Sequence, residues 1–239
     1  MVLSNVLPKI NRSGWILIYV AVALCCIHYF ANPGKAGFVD LRNWLVQGEN
    51  GEFKRLAWWA AVNVLFYFLI PFLILRYRWH NTAKEFGIGA QNGGYQIYIY
   101  FFAFVLPLVF AVSFSPAFLN KYPYYQLNSG ESLWPNFVIW ELLYFFQFFA
   151  LEFFFRGFMV QGLKAEFGIN SILIMVVPYC MIHFSKPLPE AAGSIIAGLA
   201  LGYLSYKKNS IIPGVFLHYS IALSMDLLAL WQKGLLFSK

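Results

Sequence analysis

The stretch LEFFFRGF, residues 151–158, sets Glu152 and Arg156 inside a run of phenylalanines. It lies in an apolar segment, 137–163, longer than the about 20 residues that cross about 30 Å of hydrocarbon. Ionised groups at that depth cost at least about 2.5–3.5 kcal/mol each on insertion scales, so they avoid lipid. At spacing i, i+4 the two side chains share one helix face and form a direct ion pair. The stretch therefore predicts a membrane helix whose charged face is turned inward on other helices.

The rest of the chain agrees. Of its 239 residues 60% are hydrophobic and 21% aromatic, with 26 phenylalanines, and only 11% are charged. A soluble domain carries about 25% charged residues. An all-α fold follows: a polytopic membrane helical bundle forming a single integral membrane domain over residues 1–239. Apolar segments at roughly 15–31, 56–77, 95–114, 171–185, 191–206 and 211–231 join 137–163, giving about seven transmembrane helices (six to eight). The fifth and sixth, 171–185 and 191–206, are short. With Pro178 inside one and SKPLPE (185–190) between them, they predict a broken or shallow hairpin.

The run after Lys9 and Arg12 reads as a retained first helix rather than a cleaved signal peptide. Loop 32–55 is polar enough for a short surface helix, and GIGAQNGG (87–94) reads as a flexible turn because no strand precedes it.

The net charge of +7 comes from Lys and Arg scattered through the loops, as expected near lipid headgroups. No basic stripe interleaved with stacking aromatics stands apart from the apolar segments, so the partners are membrane lipids and not nucleic acid. Lys and Arg divide evenly between the alternating loops and choose no orientation. Cys25, Cys26 and Cys180 lie in apolar runs without a CxxC and read as small core residues.

The ionisable residues at membrane depth cluster after residue 136: Glu141, Glu152, Arg156, His183, Glu190, His218 and Asp226. This divides the chain into scaffold helices, 1–136, and a half that holds the chemistry, 137–231. Glu141 and Glu152, eleven residues apart, differ by only about 20° around an α-helix. Arg156 beside Glu152 suits a salt-bridge brace and an ionised general base equally. His183 ends a short proline-bent helix, where a core histidine is the commoner case. Asp226 points about 80° away from His218 and holds that ring if the helix or side chain bends. Glu190, after Pro187 and Pro189, suits a helix N-terminus. Gly198 and Gly202, with Ser194, form a small-residue packing stripe.

Three motifs carry a resemblance. The first is Glu152, Arg156 and Gly157 in LEFFFRGF; the second is YCMIHFSKPLPE, with His183 four residues after Tyr179; the third is His218 in SIIPGVFLHYS. In order and spacing they resemble the CAAX-protease and bacteriocin-processing (CPBP, or Abi) family. The resemblance implies an intramembrane endopeptidase in a bacterial inner membrane, acting on a membrane-associated protein or peptide and needing no metal or other cofactor. It assigns Glu152 and His183 to the attacking water, His218 to the oxyanion and Arg156 to positioning Glu152. Leu151 stands where the prenyl-protein branch has the first of two adjacent glutamates, and Ala222 where it has an asparagine. The base is then Glu152 itself or a displaced carboxylate, Glu141 or Glu190, and a prenylated substrate is not implied. Two other readings stay open. One is a non-enzymatic protein that binds a partner helix or peptide in the same polar cavity. The other is a metal-dependent hydrolase, which no HExxH-type spacing supports.

Overall fold

A computed structural model describes residues 10–90, 93–127 and 131–236. Among them there is no strand, and six helices are long and apolar enough to span a membrane. In chain order the helices are α1 (Arg12–Phe30), the short α2 (Val39–Val46) within the 32–55 loop, α3 (Gly51–Arg78) and α4 (Gln96–Ser113). Then come the short α5 (Pro116–Lys121), α6 (Asn136–Phe167), α7 (Asn170–Met181), α8 (Leu188–Lys208) and α9 (Ile212–Gln232). The protein is an integral membrane helical bundle.

The hairpin α7–α8 corrects one expectation. α7 is short, 12 residues, and ends three positions after Pro178. α8 is not: Pro187 sets its start and the left-handed Asn209 its end, giving 21 residues, or about 31 Å. The apolar count had stopped at the polar termini, which are helical all the same. The two helices pack through Gly198 and Gly202, whose added Cβ atoms would fall 3.0 Å from Tyr179 and 2.8 Å from Ile172. The cysteines are not uniformly core residues, since Cys25 is exposed on the outer face of α1.

α6 is the axis of the bundle. Phe153, Phe154, Phe155 and Phe158 have no exposed surface. Their rings meet Tyr19 of α1, Tyr67 and Phe68 of α3 and Tyr179 of α7 at centroid distances of 4.7 to 6.3 Å. From Phe153 to Gln161 the helix widens into π-helical turns, a distortion common at functional sites. Gly157 lies in this stretch, where an added Cβ would stand 2.6 Å from the Phe86 carbonyl. The 87–89 part of the expected flexible turn is docked: Gly87 O accepts from Ile211 N–H, and Gly89 O accepts from the Ser210 hydroxyl. Gln91 and Asn92 of that turn, Lys9 and the last three residues lie outside the described residues.

Candidate active site

Helices α6 and α9 run antiparallel and carry two polar rungs between them. In the first, Glu152 Oε1 lies 3.0 Å from His218 Nδ1 and 3.2 Å from an Arg156 Nη. Glu152 and Arg156 are fully buried, whereas the His218 side chain keeps 18% of its surface. Gly214, one turn before His218, makes the close approach possible: a Cβ there would stand 3.2 Å from Glu152 Oε2. That second oxygen accepts no hydrogen bond from the described residues. The Arg156 guanidinium carbon lies 4.0 Å from the centroid of the Tyr179 ring, a cation–π contact strengthened by the absence of water.

Tyr179 connects this rung to His183. Its ring centroid is 4.8 Å from that of His183 and 6.5 Å from that of His218. His183 Nδ1 is 2.8 Å from the Tyr179 carbonyl oxygen. By helix rise, Glu152 is about 20 Å from the Phe167 end of α6 and His183 about 20 Å from the adjoining start of α7, which places them at one depth. Each imidazole thus turns Nδ1 toward an acceptor, a carbonyl for His183 and a carboxylate for His218. Hydrogen-bond logic assigns the ring proton to Nδ1 in both, leaving Nε2 free. Both rings are partly exposed, with Glu152 behind them.

The second rung is separate. The carboxyl groups of Glu141 and Asp226 face each other, and neither Glu141 Oε1 nor Asp226 Oδ2 accepts a hydrogen bond from the described residues. Tyr219 donates its hydroxyl to Glu141 Oε2 at 3.3 Å, and the Tyr124 N–H donates to Asp226 Oδ1 at 2.8 Å. Asp226 therefore does not hold His218, whose Nδ1 is taken by Glu152; the 80° offset on α9 keeps the two apart. Glu190 belongs to a third group. It pairs with Lys186 at 2.9 Å and accepts the Tyr122 hydroxyl at 3.0 Å. Of the three carboxylates weighed as bases, Glu152 is the one that hydrogen-bonds either of the two candidate histidines among the described residues. Leu151 and Ala222, at the two divergent motif positions, are both buried among apolar side chains.

Residues 132–224 match the family model described as Rce1-like: Type II CAAX prenyl endopeptidase Rce1-like. Over that stretch the chain is similar to the CPBP family. No curated protein and no solved structure matches it. The CPBP-like stretch contains Glu152, Arg156, His183 and His218, and it leaves out Asp226 and Tyr122. Sequence reasoning missed Tyr122, Lys186 and Gly214. The first two were unremarkable loop residues, and only the fold shows Gly214 against a carboxylate.

Proposed function

We propose that this chain is an intramembrane endopeptidase that hydrolyses a peptide bond of a membrane-associated protein or peptide, with water activated by the Glu152–His218 pair. Residues 137–231 form its catalytic half, 1–136 its scaffold, and a bacterial inner membrane its setting. The observation that carries the reading is the 3.0 Å contact between Glu152 Oε1 and His218 Nδ1, made across two helices. It fixes the tautomer of His218 and aims its Nε2 outward. Glu152 has no exposed surface, whereas His218 does, so His218 Nε2 takes the proton of the attacking water. The buried carboxylate, balanced by Arg156, then faces an imidazolium that can return the proton to the leaving amine. His183, whose Nδ1–H is held by the Tyr179 carbonyl, presents an unprotonated Nε2 level with the pair, an acceptor that helps to hold the attacking water. This leaves His183 on the water, as the family resemblance has it, and moves His218 from the oxyanion to the water.

A second assignment has Glu152 itself take the proton through Oε2, which lacks a donor and has room only because residue 214 is glycine. Substitutions separate the readings. Glu152→Gln, His183→Asn and His218→Asn each lower kcat by at least about 10²-fold if the chain is a protease. Gly214→Ala crowds Oε2 and abolishes turnover only if that oxygen is the base. Membrane proteins that accumulate in cells carrying Glu152→Gln are the substrate candidates and supply the assay. If the chain's cellular function survives all three polar substitutions, binding of a partner helix or peptide in the cavity is the better reading.

A further inference from the structure

Helices α8 and α9 are joined by a tight turn, and beside it Leu201 and Leu204 of α8 and Leu217 of α9 share a cluster with Tyr98, Phe101 and Phe102 of α4. Beyond that they share little backbone contact. From Leu201 back toward the start of α8, the face toward α9 carries only Ala197 and Gly193 before Glu190. A Cβ at Gly193 would meet nothing within 4 Å. Few backbone contacts and small side chains leave this part of α8 loosely packed against α9.

One segment bridges the two helices here, α5 with the residues after it, and its two sides are held differently. On the α9 side it is packed: Phe118 and Tyr122 bury their rings with Ala229, Met225 and Val109 of α4, and the Tyr124 N–H is bonded to Asp226. On the α8 side a polar trio holds it. Lys186 Nζ donates to the Tyr122 oxygen at 2.7 Å, the Tyr122 hydroxyl donates to Glu190, and Lys186 pairs with Glu190. Burial, and then the Glu190 charge, push the Tyr122 hydroxyl far above the usual phenol range, so it stays a neutral donor. An apolar hinge on one helix and a polar clasp on its neighbour describe a gate.

We infer that this loosely packed stretch between α8 and α9 is the passage by which an apolar, membrane-embedded segment of the substrate reaches the site, and that the Tyr122–Lys186–Glu190 clasp closes it. The inference rests on the protease reading and gives it a substrate class: chains that arrive from the bilayer with the scissile bond at membrane depth. The small residues at 193 and 197 make room for such a segment.

The test uses the full chain in liposomes, with Cys25, Cys26 and Cys180 replaced by alanine, Gly193→Cys introduced, and Glu152→Gln present so that cleavage plays no part. The rate at which N-ethylmaleimide modifies the single introduced thiol is compared with Tyr122 intact and as Tyr122→Phe, which keeps the ring and removes the clasp. Loss of charge-assisted hydrogen bonds predicts about tenfold faster labelling. Glu190→Gln gives the same direction and serves where Tyr122→Phe fails to fold. Unchanged labelling in folded variants of both kinds overturns the gate. The outcome is independent of the protease reading: labelling that responds while no wild-type cleavage is found leaves the gate standing and removes the enzyme.

Discussion

Helices α4 and α6 are both rich in phenylalanine, yet the protein treats them as opposites. Of an 18-residue span, α6 buries 61% against protein and α4 only 11%, although α4 is the more apolar of the two. In water the ranking would be reversed. In a bilayer, lipid tails receive phenylalanine as readily as protein does, so apolarity alone does not draw a helix inward. What does is the cost of an ionised group facing hydrocarbon. Glu141, Glu152 and Arg156 place α6 at the centre, and α4, with no ionisable side chain other than tyrosine, lies at the rim, where Phe104 is 70% exposed.

The sharpest way to break this contrast is to remove one charge from α6. Arg156→Met leaves Glu152 buried without its counter-ion and costs about 3–5 kcal/mol of stability. The double variant Arg156→Met with Glu152→Gln recovers most of that, since a buried ion pair replaced as a unit is close to neutral. Unfolding in detergent micelles, followed for both singles and the double, checks the coupling. An unchanged midpoint in Arg156→Met would mean that the pair does not organise the core.

The converse change places a charge at the rim. Phe104→Arg near the middle of α4 costs about 2.5–3.5 kcal/mol in an insertion assay, whereas Phe104→Leu is close to silent. Equal behaviour of the two would show that α4 is covered by protein in the membrane.

The same contrast explains what was legible in the sequence. Charged residues in apolar runs marked α6 and α9 and their mutual faces, because burying a carboxylate without partners is prohibitive and leaves few solutions. The Glu152–Arg156 pair followed from spacing alone. The partner of His218 did not: an i, i+8 relation within α9 competed with a contact 66 residues away, and only packing decides between them. The length of α8 was misjudged because hydropathy sees lipid exposure and not helix caps. Tyr122 and Tyr124 were invisible as site residues because they sit in a loop of the scaffold half, and nothing local says that the loop returns to α8 and α9.

The smallest effect is the most informative about the two rungs. Glu152–His218 joins a carboxylate to a base, whereas Glu141–Asp226 sets two carboxyl groups against each other. Asp226→Asn keeps the bond from Tyr124 N–H on the Asn oxygen and turns an amide donor toward Glu141. It should shift stability by less than about 1 kcal/mol, while Asp226→Ala, which leaves the buried Tyr124 N–H without its acceptor, costs about 1–3 kcal/mol. As a brace, the rung leaves kcat of Asp226→Asn within about threefold of wild type. Loss of turnover at an unchanged unfolding midpoint would instead draw the second rung into the chemistry. Proton transfer would then run along α9 from Asp226 toward His218, and the two rungs would be one site.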